Sequence, residues 1–211
     1  MIELHTWGTP NGKKISIALE ELGLPYNVHP VDISKDEQFK PEFLKIAPNN
    51  RIPAIVDTDT GQTLMESGAI LIYLADKTGK LLAKDGEARY RAIEWLMWQM
   101  GGLGPMLGQA HHFLQFNKGK APYAEERYGK EAQRLYGVLD RRLADNAYLA
   151  GSEYTIADIS SWTWISRFEW HPIDWADYPN AKRWYKEIAA RPAVQRGYDV
   201  PKKTGPIPMP T

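Results

Sequence analysis

Asn49-Asn50-Arg51-Ile52-Pro53-Ala54-Ile55-Val56-Asp57, followed after a short turn by Thr63-Leu64-Met65-Glu66-Ser67-Gly68-Ala69-Ile70, decides how the rest of the chain is read. Ile52 to Asp57 is an apolar strand entered through a proline, which has no N–H to give to a ladder and so stands at a strand start or edge. Thr58 to Gly61 is turn material, and Thr63-Leu64-Met65 is a short antiparallel return. Glu66 to Thr78 then reads as a strongly apolar helix.

Toward the N-terminus, Ile2-Glu3-Leu4-His5-Thr6-Trp7 alternates apolar and polar as a half-buried strand does, and Gly8-Thr9-Pro10-Asn11-Gly12 is a turn cluster. From Lys13, the residues Ile15, Ala18, Leu19 and Leu22 recur at helical spacing until Gly23 and Pro25 stop the pattern. Tyr26 to Val31 is a second strand. Ser34 to Gln38 is a polar loop, Pro41 to Ile46 fits a short helix with proline at its first position, and Pro48-Asn49-Asn50 ends it. The order is βαβ, short helix, ββ, α: a thioredoxin-like α/β domain over residues 1–79.

Residues 79–86 carry two glycines among charged residues and read as a linker. Everything beyond is helical in pattern, so the second domain, residues 87–199, is expected to be all-α. Glu87 to about Phe116 is helical except where Gly101-Gly102-Leu103-Gly104-Pro105 is expected to bend or interrupt it. Tyr128, Ala132, Leu135, Leu139 and Leu143 mark the apolar stripe of the next helix, and Ala181, Trp184, Tyr185 and Ile188 that of another between Pro179 and Arg191. Thr155-Ile156-Ala157-Asp158 is a capping-box variant that starts a buried helix. The tail, residues 200–211, has four prolines in twelve positions and is expected to be extended or disordered.

A chain of 211 residues buries roughly 70% of its unfolded surface and needs no staples. It has no cysteine, which excludes disulfides, thiolate-bound zinc and a protein thiol nucleophile. Any sulfur chemistry must use a sulfur brought by the ligand. Lys plus Arg and Asp plus Glu stand at 26 each and are interspersed, so the steering field of a nucleic-acid or membrane-surface binder is lacking. No leader-like pattern opens the chain, and no run approaches the roughly 18 apolar residues of a spanning helix. A soluble cytoplasmic protein without nucleic-acid or membrane partners is expected. Of eight tryptophans, six fall between Trp95 and Trp175, which points to aromatic packing in the second half.

A small thioredoxin-like domain ahead of an all-helical one, with Pro53 and the dipeptide Glu66-Ser67, resembles the glutathione transferase superfamily over nearly the whole chain. The stretches 49–56 and 65–70 look like its two glutathione-site motifs. Thr9-Pro10-Asn11-Gly12-Lys13-Lys14-Ile15, Trp98 to Met106 and Gly108-Gln109-Ala110-His111-His112-Phe113 are similar to the bacterial Nu class, a resemblance that implies action on disulfides with glutathione as co-substrate.

The resemblance assigns roles residue by residue. Pro53 is expected to be cis and to turn the N–H and C=O of Ile52 toward the cysteinyl main chain of glutathione. Ser67, at a helix start, is expected to receive the γ-glutamyl carboxylate and Glu66 the ammonium of the same moiety. Thr9 and Asn11, between the first strand and first helix, are cast as partners of the glutathione sulfur and so as the catalytic pair; Asn11 can alternatively cap the first helix. No Tyr or Cys stands there, and Trp7 cannot donate as a phenol does. Gln38 matches the position that holds the glutathione main chain, and Arg127 resembles an arginine that reaches the ligand's carboxylates from the helical domain. His111 and His112 point about 100° apart on a helix, and no third ligand stands at zinc-like spacing, so no metal is expected.

The expected activity is glutathione-dependent reduction of small disulfides by a homodimer. Conjugation to electrophilic carbon or hydroperoxide reduction is the alternative within enzymology, and a non-catalytic glutathione-binding module is the alternative outside it.

Overall fold

Four strands, β1 (Ile2–Thr6), β2 (Tyr26–Pro30), β3 (Ala54–Asp57) and β4 (Gln62–Met65), form one sheet in the order β2-β1-β3-β4. In this computed structural model, residues 1–203 and 205–210 are described; Thr204 and Thr211, both in the expected tail, lie outside the described residues. The chain divides into two compact units: Met1–Lys84 with Ala190–Ile207, and Asp85–Ala189 with the end of the chain from Pro208.

In the first unit, β1 and β2 run parallel with Thr6 opposite Pro30, β1 and β3 run antiparallel with His5 opposite Ala54, and β3 and β4 pair Ala54 with Met65. This register brings the ends of β1, β2 and β4 and the start of β3 to one end of the sheet. Helices α1 (Pro10–Leu22) and α3 (Ser67–Thr78) pack together and bury Ile15, Ala18, Leu19, Ile70, Leu71 and Leu74 completely. The short α2 (Pro41–Leu44) contributes Phe43 to a separate apolar cluster with Val31, Ala47 and Ala54, against which Ile46, Ile52 and Met65 pack.

The unit is completed from the far end of the sequence. Helix α9 (Pro192–Tyr198) lies along α1 so closely that a Cβ on Gly197 would stand 2.6 Å from the Cα of Ile17. Ser16 donates to the Gly197 carbonyl at 2.7 Å, and Arg191 grips the carboxylate of Glu21 through two bonds of 2.6 and 2.9 Å. The Lys13 ammonium sits 3.0 Å from the centre of the Tyr198 ring. The helical stretch expected to end the second domain thus belongs, from Ala190 on, to the first unit. Its apolar pattern looks like that of any terminal helix; only the close approach of two backbones gives its true neighbour away.

In the second unit, α4 (Gly86–Trp98) and α5 (Gly104–His111) are joined without a break by a wide helical turn over Gln99–Leu103, and a second wide turn follows over His112–Phe116. Of the expected bend or interruption at Gly101–Pro105, the interruption does not occur, and the helix instead departs locally from regular α geometry. Pro105 has no N–H to give to the preceding turn, and the wider i→i+5 turn over Gln99–Leu103 is where the continuous ladder absorbs that loss and accommodates the ring. Helix α6 (Pro122–Ala144) buries Ala132, Leu135, Tyr136, Leu139 and Leu143.

Helix α7 (Ile156–Ile165) has nine of its ten residues buried, so its start is also buried and must satisfy its own amides. Thr155 accepts from the Ala157 amide at 3.3 Å, and Asp158 accepts from the amide of Thr155 at 2.9 Å, closing the expected box. Helix α8 (Pro179–Ala189) buries Trp184 and Tyr185. The Tyr185 hydroxyl donates to the Pro208 carbonyl at 2.7 Å, and Pro210 is buried, so this part of the expected loose tail is docked. Among the described residues, no helix is long and apolar enough to cross a membrane.

Candidate functional site

The residues that the sequence singles out in the first unit leave the sheet from one end, because the register places His5, near the end of β1, opposite Ala54 at the start of β3, and Ala54 opposite Met65 at the end of β4. Thr9 is the N-cap of α1: its backbone is extended, and its side-chain oxygen accepts from the Gly12 amide at 3.2 Å. The capping role open to Asn11 thus falls to Thr9, and Asn11 stands half-buried at the second position of the helix. Accepting through a lone pair leaves the Thr9 O–H proton to be donated. Gly12 makes the turn possible, since a Cβ there would stand 2.1 Å from the Trp7 carbonyl oxygen.

At the neighbouring strand, the Ile52–Pro53 peptide is cis. Pro53 is buried and Ile52 half-buried; β3 begins only at Ala54, so Ile52 stands outside the ladder. Among the described residues, no backbone group of Ile52 is bonded to another main chain. An extended ligand main chain can therefore pair there as an added strand.

Glu66 closes β4 and opens α3 with φ 70° and ψ 111°, a region that a side chain of its type seldom adopts and that persists where the surroundings enforce it. This conformation leaves the Glu66 side chain exposed and offers α3 no side-chain cap. The positive end of a twelve-residue helix, uncapped by the Glu66 side chain, favours an anion at this corner. Ser67, 4% exposed, sits at that start.

Two further side chains complete this region. Gln38, in the turn after β2, is buried, and its amide oxygen has no hydrogen-bond partner among the described residues. A buried amide oxygen left without a partner is costly, and a ligand amide can satisfy it. Lys14, on α1, is buried, and its ammonium donates to the Ser67 hydroxyl oxygen at 3.1 Å. Burial pushes its pKa down to about 7, against the field of Glu66, which raises it. Sequence reasoning passed over Lys14. The signal was present: Lys13 and Lys14 stand in the first turns of a helix, where the dipole disfavours cations and no acidic residue offsets them.

Arg127 is the one assigned residue that lies in the other unit. It is exposed on α6 and lines a cavity of about 520 Å³ with Met106, Tyr123, Tyr128, Lys130 and Arg134. Lys130 and Arg134 are paired with Glu126 and Glu131, whereas Arg127 makes no ion pair or hydrogen bond with a described residue. Its guanidinium can take a carboxylate.

The adjacent histidines separate as helix geometry requires. His112 is exposed beside Asn117. His111 turns inward, stacks on Trp164 and shares a 2.8 Å hydrogen bond with His171, whose other ring nitrogen meets the Tyr136 hydroxyl at 2.8 Å. Burial pushes His111 down to about 4 and His171 well below its ordinary value. Both rings are neutral packing elements in the helical unit.

Residues 9–77 match the glutathione S-transferase N-terminal domain family and residues 101–192 the C-terminal domain family. The chain is 51% identical to the disulfide-bond oxidoreductase YfcG of Escherichia coli, over 92% of this chain and 93% of that one. A glutathione transferase of Burkholderia graminis, solved with two glutathione molecules per subunit, superposes with a TM-score of 0.89 at 45% identity, covering 97% of this chain and 89% of that one. A glutathione transferase of Pseudomonas putida, solved with one glutathione disulfide per subunit, gives 0.85 at 41% identity over 95% and 91%.

Proposed function

The chain belongs to the glutathione S-transferase family, and we propose that it reduces small disulfides with two molecules of glutathione. The observation that carries this reading is that Thr9, Ile52–Pro53 and Glu66–Ser67 gather at one end of the sheet of a chain that has no cysteine. A relative named as a disulfide-bond oxidoreductase and a similar structure holding glutathione disulfide support it.

The γ-glutamyl carboxylate sits on the amide and hydroxyl of Ser67, and its ammonium faces Glu66. The cysteinyl main chain pairs with Ile52, and Gln38 donates to or accepts from the remaining main chain. This places the sulfur at the N-terminal end of α1, where the Thr9 hydroxyl and the Asn11 amide donate to it and favour the thiolate. The thiolate attacks one sulfur of the substrate disulfide, the S–S bond breaks, and the first substrate sulfur leaves as a thiolate that takes a proton. A second glutathione thiolate attacks the glutathione sulfur of the mixed disulfide. The second substrate thiol leaves, and glutathione disulfide is the oxidised product. The exposed guanidinium of Arg127 on α6 takes a carboxylate. The working form is a cytoplasmic homodimer.

Parallel assays with hydroxyethyl disulfide, a chlorinated nitroarene and cumene hydroperoxide test the reading. Turnover is expected to be fastest with the disulfide, with one glutathione disulfide formed per disulfide consumed. Faster turnover of the other two would assign conjugation or peroxide reduction, and no turnover of any would assign a binding module.

A further inference from the structure

We propose that Lys14 is a positioning residue for glutathione: through its contact with Ser67 it supplies the buried positive charge against which the γ-glutamyl carboxylate is held. This inference rests on the glutathione reading of the Glu66–Ser67 corner. The ammonium of Lys14 donates to the Ser67 oxygen at 3.1 Å, which sets a positive charge directly behind that side chain. A γ-glutamyl group is a zwitterion. Glu66 offers a negative charge for its ammonium, and Lys14, behind Ser67, offers the positive one for its carboxylate.

Lys14 is 1% exposed, so its charge is little screened by water. The other charged groups on elements packed around α1 are engaged elsewhere. Lys13 lies over Tyr198, Arg191 pairs with Glu21 and Arg196 with Glu20, Glu3 pairs with His29, and Lys77 pairs with Asp57. Glu66 is the carboxylate whose field acts on Lys14. With the ligand absent, burial lowers the lysine to about 7, so the free protein holds a mixture of charged and neutral Lys14 at neutral pH. A bound carboxylate favours the charged form and raises that midpoint. Binding is therefore strongest below about pH 7 and weakens as the pH rises through it.

The test uses S-methylglutathione, which has no thiol to titrate, with the full-length protein and Lys14→Met. Calorimetry is expected to give the variant at least a tenfold weaker affinity at pH 6, with the gap closing to about twofold by pH 8.5. The ligand's own titration is common to both proteins and cancels in the ratio. In steady state the variant is expected to raise KM for glutathione, with kcat at saturation within about twofold. A ratio that is constant with pH, or equal affinities at pH 6, would overturn the role of Lys14 while leaving the site intact. Failure of the wild type to bind at any pH would overturn the site and Lys14 with it. Should the variant not fold, wild-type protein with ¹³C-labelled lysine decides the matter: the ε-carbon resonance titrating near 7 must move to higher pH with S-methylglutathione, and an unmoved midpoint would sink the proposal.

Discussion

The carboxylate of Asp158 accepts the indole N–H of Trp184 at 2.9 Å, tying the start of α7 to the middle of α8. The same carboxylate takes the amides of Leu149 and Thr155, both at 2.9 Å, and the Thr155 hydroxyl. Burial pushes its pKa up to about 6, and these hydrogen bonds hold it from rising further. Asp158→Ala would leave three buried N–H groups without an acceptor, each costing about 1–3 kcal/mol. A loss of about 3 kcal/mol or more in urea unfolding is expected, and a variant within 1 kcal/mol of wild type would show that water replaces the carboxylate.

Ser67→Ala is expected to weaken glutathione binding by about 1.5–3 kcal/mol, the range for a hydrogen bond to a charged group. Calorimetry with an unchanged dissociation constant would remove Ser67 from the site. Glu66→Gln should weaken binding in the same direction, since the amide no longer carries the charge that faces the ligand ammonium.

Thr9 serves α1 and, in the proposed mechanism, the sulfur; these uses separate experimentally. Thr9→Ser keeps the cap and the O–H and is expected to keep turnover. Thr9→Ala and Asn11→Ala should each lower kcat roughly tenfold to a hundredfold while loosening binding less, the scale of one or two hydrogen bonds. With no cysteine in the chain, pretreatment with a thiol alkylator, then removed, should leave the rate unchanged. Full activity in the Thr9→Ala, Asn11→Ala double variant would place sulfur activation elsewhere.

Acid sensitivity should arise in the helical unit. An unfolded histidine takes up a proton near pH 6.5, whereas burial lowers His111 to about 4 and holds His171 well below its ordinary value. The stability these neutral rings provide is complete above about pH 6.5 and falls by about 1.4 kcal/mol per pH unit per histidine below it. Asp158 acts in the opposite sense, because folded Asp158 takes its proton near 6 and an unfolded one near 3.8. Two rings outweigh one carboxyl, so unfolding midpoints in urea should drop between pH 6.5 and 5. In a His111→Gln, His171→Gln double variant the drop should vanish or reverse, and persistence of the wild-type slope would acquit the pair.

Gly197→Ala places a methyl group against the backbone of Ile17. Neither backbone can yield as a flexible side chain would, so a loss of about 1–3 kcal/mol is expected from the overpacking. Thermal melts followed by circular dichroism check this, and an unshifted midpoint would mean that α9 can lift from α1 at little cost.

Much of this molecule is written in local patterns. Alternation placed β1, proline and the turn at Thr58 to Gly61 placed β3 and β4, and the capping box placed α7, because each rests on chemistry within a few residues. Pro53, Glu66 and Ser67 stood out through the resemblance to the glutathione-site motifs, and the cis bond at Pro53 and the helix start at Ser67 are present. The long-range facts were not legible. Nothing near Gly197 announces Ile17, and α9 carries the same apolar marks whichever unit it joins. Lys14 reads as a surface lysine until α3 is laid beside α1, and the wide turn at Gln99–Leu103 hides in a glycine and proline cluster that ordinarily breaks a helix. Arg127 was named from the sequence, but that it forms no ion pair among the described residues appears only once Glu126 and Glu131 are seen to hold Lys130 and Arg134.

The return of α9 to α1 also bears on biosynthesis. The segment that completes the first unit leaves the ribosome only after the whole helical unit has been made. At roughly 5–20 residues per second, α1 waits several seconds or more with the surface around Ser16 and Ile17 uncovered. The nascent N-terminal half thus carries that uncovered surface while the helical unit is made, whereas the helical unit has Asp85–Ala189 in one uninterrupted piece and can consolidate first.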